Sequence, residues 1–314
     1  MHYCQANEYM SDKIKGITEK LKVLREMQLL PMPRDLDYGS WLDNFQNTDE
    51  KEIAAHILQH FIYFSDGLVD QMLRTVVGRC GYYFAKNDHS WTHSSFKDNC
   101  WYSFVQGENT EDATDSGYIF TRKLRDVLYI PNKRIIKFEA LFKKLEDCSS
   151  TPQNVILVDD FVGSGAQTDE AWNVHRFGDW KMTLGEHQSR FHHHIIYAPL
   201  IVNDMGLSRI NAHCPNLHLE YIHHLGSEYN MFNVNSIYWN GDATMFERFI
   251  NMMVRIAKEL NIPITYGNHV NDFQGFGQQG LALAFNHGIP DACPAFFYWD
   301  TATWKPLKKR PYHR

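Results

Sequence analysis

Residues 155–168 constrain this chain more than any other stretch, because an apolar run, an acidic pair and a glycine turn follow one another there. The run at 155–158 is mostly β-branched, which is typical of a strand buried in the middle of a parallel sheet. Asp159 and Asp160 follow the run, the turn occupies 163–165, and helix-favouring residues come next. Open α/β sheets bind ligands at the carboxyl ends of their strands. This order therefore predicts a ligand site at the end of the strand.

The glycine turn indicates the chemistry of the ligand. Glycines allow backbone N–H groups to point inward as an anion nest, and the start of a helix adds its dipole. We therefore expect the loop to hold a phosphate, and Asp159 and Asp160 to face hydroxyl groups or a metal ion. The loop lacks the Gly-Lys-Ser/Thr ending of a Walker A motif, and the dinucleotide fingerprint has no acidic pair before it. The simpler alternative is a buried strand that ends in a solvated Asp-Asp turn.

Composition is that of an ordinary globular protein. The 314 residues are 44% hydrophobic and 22% charged, which suits one large domain or two modest ones. The net charge of −6 disfavours a uniformly basic nucleic-acid face but leaves a local basic patch open. The six cysteines form no CxxC pair, which disfavours a zinc ribbon, and a chain of this size does not need a disulfide framework. Without a secretory leader or a long apolar run, we expect a reduced, cytoplasmic protein that does not span a membrane.

Hydrophobic periodicity predicts the order of helices and strands. Helices are expected at 12–30, 49–64, 66–77, 118–128, 138–145, 206–212 and 244–260. Strands are expected at 101–106, 134–136, 155–158, 194–202 and 218–222. This alternation indicates βαβ units. We therefore predict an α/β fold with a mostly parallel central sheet, flanking helices, a helical N-terminal segment at 1–80, and a core at 81–314 with a hood-like C-terminal strand and loop elaboration.

The stretch 155–168 resembles the ribose-phosphate loop of the type I phosphoribosyltransferases, which place an apolar strand and two acids before a small Thr/Ser/Gly loop. The resemblance implies that Asp159 and Asp160 contact the ribose hydroxyls of phosphoribosyl pyrophosphate and hold Mg²⁺, directly or through water. It assigns the 5′-phosphate to the loop residues Gly163, Ser164, Gly165, Ala166, Gln167 and Thr168. The chain departs from the family pattern where Gly163 replaces the usual Thr and where Gln167 replaces Thr or Ser.

The same family clamps pyrophosphate with an upstream loop. Asp115, Ser116 and Gly117 are the best match for that loop, and Arg122 is a candidate source of positive charge. A plain surface turn and solvated helix residues account for these positions equally well. No long mobile hood carrying a basic residue is evident.

The C-terminal segment narrows the resemblance. A glycine-rich lead-in at 275–280 precedes an apolar strand, then His287, Pro290 and Asp291, and an aromatic run that ends near Trp304. Together with the loop at 155–168 and the aromatic helix at 53–64, this segment looks like the bacterial conflict-system family PRTase-CE. That resemblance implies an antiphage setting. Some such loci are retron systems, in which a reverse transcriptase and its DNA–RNA hybrid control a toxic effector.

The favoured hypothesis is an enzyme that uses phosphoribosyl pyrophosphate and Mg²⁺, with Asp159 and Asp160 as the catalytic carboxylates. His287 and Asp291 are the candidates on the acceptor side, although an Asx-type turn between two prolines explains them equally well. One alternative is a catalytically inactive module that senses a nucleotide or phosphoribosyl pyrophosphate and regulates a partner. Another is an N-glycosidase that transfers to water. The sequence leaves the acceptor and a homo-oligomeric assembly open.

Overall fold

The computed structural model describes residues 12–45, 47–87, 92, 96–106, 116–264 and 273–310. Contacts within the chain divide it into unit 1, from Met1–Asp66 and Gly226–Arg314, and unit 2, Gly67–Leu225. The sequence suggested a boundary between residues 80 and 81, whereas this division falls at 66/67 and 225/226. The difference arises because the chain returns to unit 1 after unit 2, which no local hydrophobic pattern reveals.

The described residues form eleven α-helices and seven strands. The helices are α1 (Asp12–Glu26), α2 (Tyr38–Leu42), α3 (Thr48–Gln59), α4 (Asp66–Asn87), α5 (Phe96–Asn99), α6 (Ser116–Asp126), α7 (Phe138–Asp147), α8 (Ala166–Asn173), α9 (Leu184–Phe191), α10 (Asp204–His213) and α11 (Ala243–Leu260). The strands are β1 (Ile62–Phe64), β2 (Cys100–Phe104), β3 (Asn154–Val162), β4 (His194–Asn203), β5 (His218–Leu219), β6 (His223–Leu225) and β7 (Leu283–Phe285). Every pairing between these strands is parallel, so the predicted α/β fold with a mostly parallel sheet and flanking helices is confirmed.

The sheet of unit 2 positions the loop at 163–165. Its strand order is β2-β3-β4-β5, with β6 also pairing β4. The longest pairing joins β3 and β4, where Leu157 lies opposite Tyr197 and Val162 opposite Val202. The carboxyl ends of β2, β3 and β4 therefore meet at one edge, where ligands bind in sheets of this kind.

Both faces of β3 are covered. Residues 155–158 are all buried, as expected for a central parallel strand. One face packs against Phe142 and Leu145 of α7 and Trp172 of α8, while α6 contacts both β2 and β3. Full burial explains why the strand is continuously apolar in sequence.

Unit 1 is assembled from both parts of its sequence. The strand β1 pairs in parallel with β7, with Tyr63 opposite Ala284. The indole N–H of Trp41 donates to the carbonyl of Phe296 at 3.0 Å, and the Trp41 ring stacks on Phe297 with centroids 5.6 Å apart. Residues of the N-terminal segment and of the C-terminal aromatic run are thus packed together within unit 1.

Three local predictions were wrong. The helix predicted at 49–64 ends at Gln59, because Ile62–Phe64 pairs with a strand more than two hundred residues later. The helix predicted at 66–77 continues to Asn87, because buried contacts of Cys80 and Phe84 extend its apolar face. The strand predicted at 134–136 is instead a 3₁₀ turn, Asn132–Arg134, followed by a single bridge from Ile135 to Tyr102. Among the described helices, none combines the length and apolarity needed to cross a bilayer.

Candidate functional site

The acidic pair lies inside β3, near its carboxyl end, and the strand continues to Val162. Successive strand side chains point to opposite faces. Asp159 therefore shares a face with Leu157, which belongs to the core beneath α7 and α8, and Asp160 lies on the other face. The two carboxylates consequently have different surroundings and are suited to different tasks.

Asp159 is buried, with 6% of its surface exposed. Its Oδ2 accepts a hydrogen bond of 2.6 Å from the hydroxyl of Tyr197, and its Oδ1 accepts one of 2.9 Å from the amide of Asp160. Burial, followed by the nearby charge of Asp160, raises the pKa of the Asp159 carboxyl well above its usual range; the Tyr197 bond opposes this and is outweighed. Thr168 also hydrogen-bonds to Tyr197, so the phenol links Asp159 to α8.

Asp160 is half-buried at the carboxyl edge of the sheet. Its Oδ1 accepts a hydrogen bond of 2.9 Å from the amide of Phe161. This contact fixes the carboxylate at the strand end without burying it. Asp160 is therefore the member of the pair that a ligand at this edge can reach.

The turn from β3 to α8 has the geometry of an anion nest. Gly165 precedes the helix with φ 72°, in the left-handed region that favours glycine. The amide of Ala166 donates to Oγ of Ser164 at 3.3 Å. The backbone amides of residues 164, 165, 167 and 168 have no hydrogen-bond acceptor within the described chain. Such amides at a helix start are suited to an anion, and the phosphate site assigned to this loop stays a prediction.

Close contact with α10 holds this turn. A Cβ on Gly165 would lie 2.9 Å from the carbonyl oxygen of Gly206, and one on Gly206 would lie 2.7 Å from the carbonyl oxygen of Gly163. Both distances are shorter than real contacts allow. Two glycines on different elements therefore let the start of α10 approach the turn, and a larger side chain at either position would push it away.

One basic residue stands beside the turn. The Cβ of Arg209, on α10, lies 3.4 Å from where a Cβ of Gly165 would be. The guanidinium Nε of Arg209 is 3.9 Å from Oδ2 of Asp169, which also pairs with His213 at 2.7 Å. Because Asp169 already has this closer partner, Arg209 is only loosely held and can be drawn to an anion in the turn.

Gln167 has a structural task that the sequence did not indicate. Its side-chain Nε2 donates to the carbonyl of Val105 at 3.1 Å. Val105 follows β2, so this contact ties the first turn of α8 to the segment that leaves the neighbouring strand. Glutamine, in place of the family's usual Thr or Ser, thus connects the end of β2 with the start of the helix that follows β3.

The predicted pyrophosphate residues are only partly placed. Asp115 lies outside the described residues. Ser116 and Gly117 are the first two residues of α6. A Cβ on Gly117 would lie 1.9 Å from the Phe104 ring, so this glycine is needed for packing on β2. Arg122 pairs with Asp126 at 3.3 Å in the second turn. It lines a surface pocket that is not lined by residues 159–168.

The acceptor-side candidates belong to unit 1, whereas Asp159 and Asp160 belong to unit 2. The ring of His287 stacks on Phe285 with centroids 5.1 Å apart. The backbone carbonyl of Asp291 accepts from the amide of Phe276 at 2.7 Å. These contacts are those of a structured turn, and a role toward an acceptor stays a prediction.

The carboxylates at the strand end suit a magnesium ion that keeps its waters. Both oxygens of Asp159 already accept hydrogen bonds, and no group of three or more candidate ligands occurs among the described residues. Mg²⁺ commonly binds through one or two carboxylates, waters and substrate phosphates. Asp160 fits that arrangement, since it lies at the edge and is half-exposed.

Sequence reasoning missed Tyr197, Gly206 and Arg209. Tyr197 lies in an apolar strand, and its role becomes visible only when the pairing of β3 with β4 is known, in which Leu157 lies opposite Tyr197. Gly206 and Arg209 follow the next strand, and only the parallel pairing brings their helix to the turn. The one signal available in the sequence was the Asn-Asp pair at 203–204, which is typical of a helix start and marks the beginning of α10.

A family model described as PRTase-CE matches residues 38–310, so the chain belongs to the PRTase-CE family. The family name indicates a phosphoribosyltransferase-like domain, in agreement with the parallel sheet and the β3–α8 turn. No curated protein and no solved structure matches the chain.

Proposed function

We propose that this PRTase-CE protein binds phosphoribosyl pyrophosphate, or a related ribose 5-phosphate, at the β3–α8 turn and transfers or cleaves at the anomeric carbon. One observation carries the proposal: a half-exposed carboxylate, Asp160, lies directly before a helix-start turn whose amides lack internal acceptors. Hydroxyls beside a phosphate are the chemistry that such a pair recognises.

In the proposed complex, the amides of residues 164, 165, 167 and 168 hold the 5′-phosphate. The α8 dipole adds to their attraction, and Arg209 turns from Asp169 toward the same anion. The glycine contact between Gly165 and Gly206 keeps the turn in its anion-binding shape.

Asp160 accepts hydrogen bonds from the ribose hydroxyls. Asp159 is a positioning residue, because its carboxylate caps the amide of Asp160 and is itself held by Tyr197. Together they fix the sugar at the strand end, which lowers the entropic part of the barrier.

The reaction breaks the bond between the anomeric carbon and pyrophosphate through an oxocarbenium-like state; the acceptor, or water in a cleavage, forms the new bond to this carbon and loses a proton, and pyrophosphate leaves. Asp160 stabilises the positive charge that develops on the sugar. Bound Mg²⁺ would supply charge neutralisation for the departing pyrophosphate. No protein nucleophile is required, so the absence of a Ser-His-Asp or Cys-His pattern in the sequence agrees with this chemistry.

The test is calorimetry with phosphoribosyl pyrophosphate and Mg²⁺, combined with an assay for released pyrophosphate. We expect Asp159→Asn/Asp160→Asn to abolish both signals and to leave the circular dichroism spectrum unchanged. The matched control is Asp147→Asn/Asp179→Asn, which removes two exposed carboxylates of the same unit. Equal activity in the wild type and in the site variant would reject the mechanism.

A sensing module is the second candidate, favoured by the use of Gln167 to brace Val105 instead of offering a hydroxyl at the turn. Binding without release of pyrophosphate would identify it, and release of free base without pyrophosphate would identify an N-glycosidase.

We further propose that the protein acts as a toxic effector in antiphage defence, controlled by a retron reverse transcriptase and its DNA–RNA hybrid. This proposal rests on the family resemblance. Growth arrest on expression of the chain alone, relieved by the reverse transcriptase and its hybrid, would support it. Growth arrest by the Asp159→Asn/Asp160→Asn variant would show that toxicity does not depend on the β3–α8 site.

A further inference from the structure

Positive charge is concentrated in one segment of this acidic protein. The chain has a net charge of −6, yet residues 122–144 contain eight Lys and Arg residues against two acidic ones, Asp126 and Glu139. All of these residues belong to unit 2. A positive segment on a negative molecule is an electrostatic footprint for a polyanion.

We define the basic face by the six residues of this segment that lack a close partner of their own. They are Arg122, Arg125, Lys133, Arg134, Lys137 and Lys144. No carboxylate within the described residues pairs with the last four. The first two share a single carboxylate, that of Asp126. The face therefore carries positive charge that the protein does not neutralise.

The residues of the basic face lie near β2, at one edge of the sheet. Arg134 and Lys144 lie over the ring of Trp101, each 4.7 Å from its centroid, on that edge strand. Arg122, Arg125 and neighbouring residues line a surface pocket of about 480 Å³ that extends to Ile135, which bridges to β2. Cations from α6, from the 3₁₀ turn and from α7 thus lie around this edge of the sheet, with α6 and α7 on opposite faces.

An aromatic ring stands in solvent beside these cations. Tyr129 is 79% exposed, although tyrosine is usually at least partly buried. Its φ of 58° is left-handed, and the ammonium of Lys97 holds the preceding carbonyl, that of Leu128, at 2.9 Å. The amide of Tyr129 donates to the carbonyl of Arg125 at 3.1 Å, so the backbone that carries the exposed ring is fixed in an uncommon conformation one turn after Arg125.

We propose that the basic face binds single-stranded nucleic acid, with its cations on the phosphates and Tyr129 stacked on a base. Alternating cations and exposed aromatic rings are the pattern by which proteins hold single strands without reading sequence. An anionic membrane surface would meet the same charges and would also accommodate a phenol at its interface, so the test compares vesicles with oligonucleotides directly. No residue of the β3–α8 turn takes part, so binding of nucleic acid to the basic face can fail while binding of a ribose phosphate to the turn persists.

The test is fluorescence anisotropy with labelled oligouridine and oligothymidine of about 20 nucleotides, a duplex of equal length, and phosphatidylserine vesicles. Titrations at about 50 and about 200 mM salt give the number of phosphate contacts from the slope of log affinity against log salt. The charge variant is Lys133→Glu/Lys137→Glu, since both side chains are exposed and unpaired. Its matched control is Lys15→Glu/Lys22→Glu, which changes the net charge equally on exposed positions of α1. Tyr129→Asn removes the ring and keeps a residue that tolerates the left-handed backbone.

We expect the wild type to bind both single strands and to lose affinity by about 50-fold over this salt range if four phosphates are contacted. The charge variant should bind about tenfold more weakly, with a slope lower by about 1.4, since each single-strand contact contributes about 0.7. Tyr129→Asn should weaken binding by at least about fivefold without changing the slope.

Three results would overturn the proposal. They are no binding to either oligonucleotide, an equal loss in the α1 control, or tighter binding to vesicles than to oligonucleotides. Equal affinity for the duplex and the single strands would overturn the assignment of Tyr129 to base stacking.

Discussion

At the scale of single residues, the two adjacent aspartates differ in burial and in hydrogen bonding. Asp160 is half-exposed at the sheet edge, whereas Asp159 is buried and held by Tyr197. Taking a carboxylate out of water without a cation beside it is unfavourable. The protein therefore keeps a destabilising group in its core.

Asp159→Asn should stabilise the protein. The pKa of Asp159 is raised in the folded state, mainly by burial, so its contribution to stability is favourable only at low pH and is lost as pH rises through the folded pKa. At neutral pH we expect a gain of about 1 kcal/mol, or about 3 °C in the midpoint of thermal unfolding.

Scanning calorimetry of this variant at pH 4.5 and pH 8 checks the sign, because the gain should be larger at pH 8. Asp147→Asn, at an exposed position, is the control and should change the midpoint little. A variant less stable than the wild type at pH 8 would contradict the prediction.

At the scale of elements, α9 and the strand after it bury two neutral histidines. His187 is fully buried, and neither ring nitrogen has a partner in the described part of the chain. His193 accepts a hydrogen bond from the amide of Gln153 at 3.0 Å. Burial lowers the pKa of both rings, that of His193 to about 4. The carboxylates of Glu146 and Glu186 oppose the shift at His187, and Arg190 favours it.

These histidines should make the protein acid-labile. A lowered folded pKa means that the unfolded chain takes up protons first, so stability is complete above pH 6.5 and is lost as pH falls toward 4. We expect urea unfolding to lose about 2 kcal/mol across this window. His187→Phe should make the decline shallower, whereas His192→Asn, at an exposed position whose left-handed backbone asparagine tolerates, should not. An unchanged slope in His187→Phe would show that other groups control the acid response.

At the scale of the whole molecule, unit 1 depends on chain segments that are far apart in sequence. The strand β1 pairs only with β7 among the described strands, and Trp41 donates to Phe296. The N-terminal helices therefore complete their core with residues from 273–310.

A variant that ends at residue 272 tests this dependence. We expect hydrogen exchange in α2 and α3 to accelerate by at least about a hundredfold, because Trp41 loses its contact with Phe296 and β1 loses its partner strand. A variant lacking only 311–314 should exchange like the full chain. Undiminished protection of α2 and α3 in the shorter variant would instead favour the boundary at residue 80 that the sequence suggested.

Local pattern predicted much of this molecule, and distant pairing accounts for most of what it missed. The strand, the acidic pair and the turn in residues 155–168 could be predicted because each is encoded by adjacent residues. Tyr197 and Arg209 were missed because their roles depend on the register of β3 with β4 and on the approach of Gly206. Likewise, β1 was predicted to be helical because its partner strand lies at the other end of the chain.

The division of the chain also sets an order of events during synthesis. Unit 2 is continuous, so all of its residues have been made once the ribosome passes residue 225. Unit 1 must wait for the following segment to residue 310, a delay of roughly 4 to 17 s at ordinary elongation rates. During that interval the aromatic residues of α2 lack their final cover. The nascent protein therefore carries its β3–α8 turn early and exposes an unfinished apolar surface that chaperones would have to shield.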